Sequence, residues 1–225
     1  MSLKPRKKSD LGKSWMKPRR DVAKLIAPEY HLIVSEGERT EPCYFKSICD
    51  IVNAKFRNRI HLDVEGEGNN TVNLFKKAER KVASSSNGYR HVWIVYDKDD
   101  FPSESFNAVI NLCQASSNSE TTYHAVWSNQ CIEVWFLLHF SFLQSAIDRK
   151  DCFTKLDGYL KRVLGIQYRK NSSGLFGVLY PFLEVAIQNA KKLNEINQGK
   201  LPSDCNPGTK VYQLLEVLKP YIQNY

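Results

Sequence analysis

Four short runs rich in β-branched and aromatic residues punctuate the first two thirds of the chain: HLIVS at 31–35, IHLDV at 60–64, HVWIVY at 91–96 and YHAVW at 123–127. Between them apolar residues recur every three or four positions. Phe45, Ile48, Cys49, Val52 and Phe56 form one such stripe, and Val72, Phe75, Ala78 and Val82 another. Runs of this kind read as buried strands, and the three-four spacing as one face of a helix. Thr40 or Glu41, with Pro42 in the first turn, can start the first helix. Asn70 or Thr71 can start the second, and Ser103 a third reaching about residue 115. Strands alternating with helices imply right-handed crossovers, so the expected fold is α/β. It has a mostly parallel, Rossmann-like four-stranded sheet with helices on both faces, and the 91–96 run is apolar enough to be central.

Beyond Cys131 the pattern is helical, with a strongly apolar stretch at 131–142 and further segments near 153–164, 177–193 and 209–222. Residues 198–208 (QGKLPSDCNPG) read as a loop. A chain of 225 residues can hold one sizeable core or a core with an appendage. The expected organisation is therefore a basic, largely disordered arm at 1–27, an α/β core at 28–145 and a helical extension packed on it at 146–225.

The formal net charge is +8. Its distribution says more than its size: residues 1–27 carry nine basic side chains against Asp10 and Asp21, a net +7, which leaves +1 for everything else. Such an arm, with Arg19 and Arg20 in it, can bind phosphates without sequence preference through counterion release, or can serve as a solubilising tail. No apolar run approaches the roughly 18–20 residues that cross a bilayer. The N-terminus is basic and polar where a signal peptide has an apolar segment, so a cytoplasmic protein with no membrane partner is expected. The six cysteines are scattered without a CxxC pair or zinc-finger spacing, and read as reduced core thiols.

In open α/β sheets ligands bind at the carboxyl ends of the strands. That rule selects Glu36-Gly37-Glu38-Arg39-Thr40-Glu41 after the first strand, Asp97-Lys98-Asp99-Asp100 after the third, and Ser128 to Glu133 after the fourth. Carboxylates crowded at 97, 99 and 100 repel one another unless a cation neutralises them. Hard oxygen donors favour Mg²⁺ or Mn²⁺. Glu36, Glu41, Asp97, Asp99 and Asp100 are candidate metal ligands, and Glu133 a candidate ligand or water-positioning group. Arg39, Lys98, Asn129 and Lys210 are candidates for contact with nucleic acid. An acidic turn and helix caps explain several of these residues equally well in isolation. His139, set among Leu137, Leu138 and Phe140, reads as a core histidine. No GxSxG elbow, Walker sequence or GxGxxG pattern occurs.

The Glu-Gly step after the first strand and the DxD after a later one resemble a Toprim domain, the metal-binding module of topoisomerases, primases and certain nucleases. More narrowly, EGERTEPCYF at 36–45, DKDD at 97–100, SNQCIEVWFLLHF at 128–140 and NPGTKVYQLLEVL at 206–218 resemble the RloB-like family. Gln130 stands where that family commonly has Pro. The resemblance implies a Toprim-type nuclease of restriction and anti-phage defence loci, acting on RNA, such as transfer RNA, or on DNA, and working with other defence proteins. It is expected to use two Mg²⁺ or Mn²⁺ ions, with Glu36, Asp97, Asp99, Glu41 and Glu133 as the catalytic acids. One alternative is a non-catalytic nucleic-acid-binding or sensor module. Another is a DxD phosphatase, which is disfavoured because its nucleophile belongs on the first core strand and Phe101 stands where a Thr or Val is usual.

Overall fold

The computed structural model describes residues 28–68 and 71–223. The proposed basic arm, Arg19 and Arg20 lie outside them, as does Asn70. Five strands form one sheet in the order β2-β1-β3-β4-β5. They are β1 (Glu29–Ser35), β2 (Ile60–Gly66), β3 (Tyr89–Asp97), β4 (Thr122–Asn129) and β5 (Gly208–Thr209). The first four are parallel, and β5 adds antiparallel to β4. The α/β expectation holds, with one strand more than the four foreseen. Two residues containing a glycine leave no alternation to detect, and what makes Gly208–Thr209 a strand is its pairing with Ser128 and Asn129.

Helix α1 (Thr40–Phe56) carries β1 to β2 across one face of the sheet, and α2 (Thr71–Ser84) and α3 (Ser103–Ser116) cross the other. The alternating side chains of β3 divide accordingly. Trp93 and Val95 pack with Phe45, Ile48 and Val52 of α1, while Val92, Ile94 and Tyr96 pack with Leu74, Phe75 and Phe106. With β2 and β3 flanking β1 on opposite sides, right-handed crossovers require helices on opposite faces. The direction in which strands are added across the sheet therefore reverses between β1 and β3, and a crevice opens at their carboxyl ends.

The C-terminal third joins the α1 face. Helices α4 (Glu133–Leu137), α5 (Arg149–Leu164), α6 (Leu175–Leu179), α7 (Leu183–Ile196) and α8 (Val211–Ile222) share one continuous apolar core with α1 and the sheet. The expected helix over 131–142 is shorter than foreseen. Val134 to Leu138 are fully buried, so their apolar run records burial between the sheet and the extension and not helix length. The chain then turns, and the Asn189 side-chain amide donates to the Leu138 carbonyl at 2.8 Å. Conversely α5 starts at Arg149, before its apolar stripe begins at Cys152, because Asp148 accepts from the Asp151 amide at 2.7 Å and caps it. Neither α1 nor α3 has a side-chain cap: their N-caps are Arg39 and Pro102. None of the six cysteines is paired and five are buried. Among the described residues no helix is long and apolar enough to cross a membrane.

Candidate functional site

The crevice where β1 and β3 diverge is a cavity of about 430 Å³ lined by Glu36, Glu41, Asp97, Asp99 and Glu133, with Arg39, Arg149 and Lys170 among its other walls. These five acids come from three stretches of sequence, 36–41, 97–99 and 133, and exposed Glu38 also borders the cavity. Glu36 follows β1, and its backbone N–H donates to the Val95 carbonyl at 2.9 Å. Asp97 is the last residue of β3 and Glu133 the first of α4. Glu41 sits in the first turn of α1, buried beside the Glu36-Gly37 step.

Glycine lets that step lie against Glu41. A Cβ at position 37 would overlap the Glu41 carboxylate, so the backbone of 37 and the side chain of 41 approach closely only because the residue is Gly. Asp99 is held in a left-handed conformation, φ +37°, with its N–H donating to the Gln130 carbonyl at 2.9 Å. The Lys98 N–H donates to the Ser128 carbonyl at 2.9 Å. Non-glycine residues adopt such a φ against steric resistance, which Asp tolerates better than most. The DxD turn is therefore pinned across the end of β4, and its second Asp is aimed into the crevice.

Asp97 is buried. Its Oδ2 accepts from the Ile132 N–H at 3.0 Å, while Oδ1 has no hydrogen-bond partner. Glu36 Oε2 accepts from the Asp97 N–H at 3.2 Å. Burial is the main reason the Glu36 carboxyl is pushed up to about 7; the Asp97 N–H opposes the rise, and the charges of Asp99 and Glu41 add to it. Burial also raises Glu41 and lifts Asp97 well above the usual carboxylate range, each reinforced by neighbouring acids. An unpartnered oxygen amid acids that suppress one another's ionisation is the donor set a bound cation would relieve. The residues present therefore fit a divalent metal. Their spacing is loose, however. Among the described residues the one group of three ligands whose donor atoms all lie within 4.8 Å is Glu29, His31 and His91, at the other end of the sheet. Magnesium commonly uses one or two carboxylates and keeps several waters, so a three-carboxylate cage is not required.

Protein cations partly neutralise the crevice. The Arg149 guanidinium, on the first residue of α5, forms an ion pair with Asp99. Lys170 lies close enough to Glu41 to oppose the rise in its pKa. Tyr168 donates its hydroxyl to Glu133 Oε1 at 2.7 Å, and burial together with that carboxylate raises the phenol pKa. Thr40 donates to Asn171 at 3.0 Å, fastening the 165–174 connection over the first turn of α1. Arg149, Tyr168, Lys170 and Asn171 were not among the residues expected from the sequence. They sit at a helix start and in a Gly- and Ser-bounded loop, and distinguishing them there requires the fold.

Of the other candidates, Arg39 lines the crevice, while Asp100, Lys98, Asn129 and Lys210 do not. Asp100 is exposed on the turn. Lys98 folds back so that its ammonium donates to the Phe101 carbonyl. Asn129 is buried, and its amide donates to the Pro202 and Ser203 carbonyls at 3.1 and 2.9 Å. Through these two bonds it brackets the 198–208 loop. Lys210 borders a separate cavity of about 280 Å³ with Trp127 and Cys205, and its ammonium bonds Asn194. His139 is a core histidine: its Nδ1 lies 3.0 Å from the Trp135 carbonyl, and burial lowers its pKa to about 4.

No curated protein and no solved structure matches the chain. The family model described as "RloB-like protein" matches residues 31–218, from β1 through most of α8. All the acids that line the crevice, with Arg149, Tyr168 and Lys170, fall inside that span, and the chain belongs to the RloB-like protein family.

Proposed function

We propose that the chain is a metal-dependent nuclease of the Toprim type, hydrolysing phosphodiester bonds of RNA, such as transfer RNA, or of DNA, in defence against phage. The observation that carries this reading is the convergence of Glu36, Glu41, Asp97, Asp99 and Glu133 in one crevice around an unpartnered, buried Asp97 oxygen. Glu36, Asp97, Asp99 and Glu41 would hold Mg²⁺ or Mn²⁺. Bound there, the ions supply Lewis acidity at the phosphate and lower the pKa of water.

The chain's own residues do the rest. Glu133, held by the Tyr168 hydroxyl, accepts a hydrogen bond from the attacking water and orients it. Lys170 and Arg39 at the rim bind non-bridging phosphate oxygens, and Arg149 offsets charge as the bond breaks. Exposed Lys170 and Arg39 face the side from which a nucleic acid can approach.

A second reading, a binding or sensor module without catalysis, is favoured by the Arg149–Asp99 ion pair, which places a protein cation where a metal ligand is needed. One experiment separates the two. Purified protein is incubated with labelled transfer RNA, single-stranded RNA and single- or double-stranded DNA, in Mg²⁺ or Mn²⁺ and then in chelator. The nuclease reading expects cleavage of at least one substrate, abolished by chelator and reduced at least a hundredfold by Asp97→Asn. Metal-independent binding with no cleavage of any substrate would establish the sensor reading.

A further inference from the structure

The amino end of the sheet holds a second ligand set with different chemistry. Parallel pairing places His31 of β1 opposite His91 of β3, on the face shared with Ile33 and Trp93. Their rings lie 4.7 Å apart, centroid to centroid. Glu29, two residues before His31 and so on the same face, brings one carboxylate oxygen to 3.1 Å from Nε2 of both imidazoles. All three donor atoms lie within 4.8 Å of one another.

We propose that Glu29, His31 and His91 bind a borderline transition-metal dication, Zn²⁺ foremost, at a site independent of the acidic crevice. In a tetrahedral site with metal–ligand bonds of about 2.0–2.1 Å, neighbouring donors stand roughly 3.3 Å apart. The two 3.1 Å separations from Glu29 are therefore already close to the required edges; the third, between the imidazole nitrogens and within 4.8 Å, closes by a turn of the His31 ring toward His91. Two imidazoles and a carboxylate select zinc, nickel or copper over magnesium, in contrast to the all-oxygen crevice. Burial lowers the pKa of both histidines, His31 to about 4, so both are neutral and able to ligate near pH 7. His91 also has the outer partner that metal-bound histidines require, since its Nδ1 lies 2.8 Å from His124 Nε2.

One contact opposes binding. The Trp93 indole N–H points at His31 Nδ1 from 3.3 Å, which favours the tautomer with its proton on Nε2. Metal entry moves that proton to Nδ1 and turns the ring off Trp93. A single long hydrogen bond is weak beside a metal–imidazole bond, so the balance favours the ion. With Glu29 about half exposed and His91 a quarter exposed, solvent reaches the site and completes the fourth position. Glu29 directly precedes the first β1–β3 pair, Tyr30 with Tyr89, so the ion would clasp the two strands together at their amino ends.

The test uses full-length protein stripped with chelator, in an Asp97→Asn/Asp99→Asn background that disables the crevice. Titration calorimetry with ZnCl₂ is expected to show one bound equivalent. Glu29→Gln and His91→Gln are each expected to weaken it at least tenfold while leaving the metal-free melting temperature within a few degrees. MgCl₂ at the same concentrations is expected to leave the site unfilled. With Cu²⁺ as probe, electron paramagnetic resonance should show two coordinating nitrogens, falling to one in His91→Gln. Failure of the background protein to bind Zn²⁺, or binding unchanged by both Glu29→Gln and His91→Gln, would overturn the proposal. Such a result leaves the nuclease reading untouched, because that reading depends on the crevice alone.

Discussion

Glu36 shows how the end of a buried strand alters a carboxylate. Its pKa moves from the ordinary 4.5 to about 7, chiefly through burial. A carboxyl whose folded pKa lies above its unfolded one takes up a proton on folding between the two values. Its contribution to stability is then greatest at low pH and falls as pH rises from about 4.5 to about 7. In metal-free protein Glu36→Gln is accordingly expected to be nearly neutral at pH 5. At pH 8 it should stabilise by about 1–2 kcal/mol, after allowance for screening at this half-buried group. Urea denaturation of both proteins at the two pH values measures the difference, and the histidines titrating at lower pH cancel in the comparison. A substitution effect equal at pH 5 and pH 8 would contradict the assignment. Saturating Mg²⁺ or Mn²⁺ should reverse the order, since the ion stabilises the ionised parent and not the amide.

At the scale of elements, the site depends on how β4 is held. Its last residues pair with β5, and Asn129 reaches across to the Pro202 and Ser203 carbonyls, while Asn107 exchanges two hydrogen bonds with Ser203. The Gln130 carbonyl in turn receives the Asp99 N–H. The 198–208 loop therefore supports the DxD turn through one intervening strand. Asn129→Ala removes both amide donors from a buried position and leaves two carbonyls without them, a loss of about 2 kcal/mol. A lowered urea midpoint with an unchanged slope is the expected result, whereas a fully stable variant that fails to bind nucleic acid would instead make Asn129 a substrate contact. The same logic explains α5: its start at Arg149 is set by the Asp148 cap, and it is this start that delivers the guanidinium to Asp99.

For the whole molecule, charge is divided by location. Residues 1–27 hold +7 of the net +8, and the rest, with its acidic crevice, is close to neutral. An almost neutral body offers little long-range attraction to a polyanion, so on the proposed nuclease reading recruitment would fall to the basic segment and chemistry to the crevice. Deleting residues 1–27 is expected to weaken nucleic-acid binding about tenfold or more at low salt. It should also flatten the dependence of log affinity on log salt by several units, since each neutralised phosphate contributes about 0.7–0.9. Fluorescence anisotropy across a salt series reads both quantities. Affinity and slope unchanged by the deletion would assign the segment to solubility alone.

The alternation of strand-like and helix-like runs was enough to determine the α/β class, the central place of β3 and the positions of Glu36, Asp97 and Asp99 at strand ends. These are local consequences of periodicity, since a run of apolar residues must be buried and the residue after it must emerge at the sheet's rim. Glu41 and Glu133 were also legible, as acids beside apolar helices. Tertiary structure decided what depends on distant partners. It gave Asn129 and Lys210 partners away from the crevice, shortened the 131–142 helix and recruited β5 from a loop. It also brought Arg149, Tyr168 and Lys170 to the acids. Contacts between residues thirty or more positions apart leave no periodic trace in a chain, because they arise only when the helical extension folds back over the α1 face of the sheet.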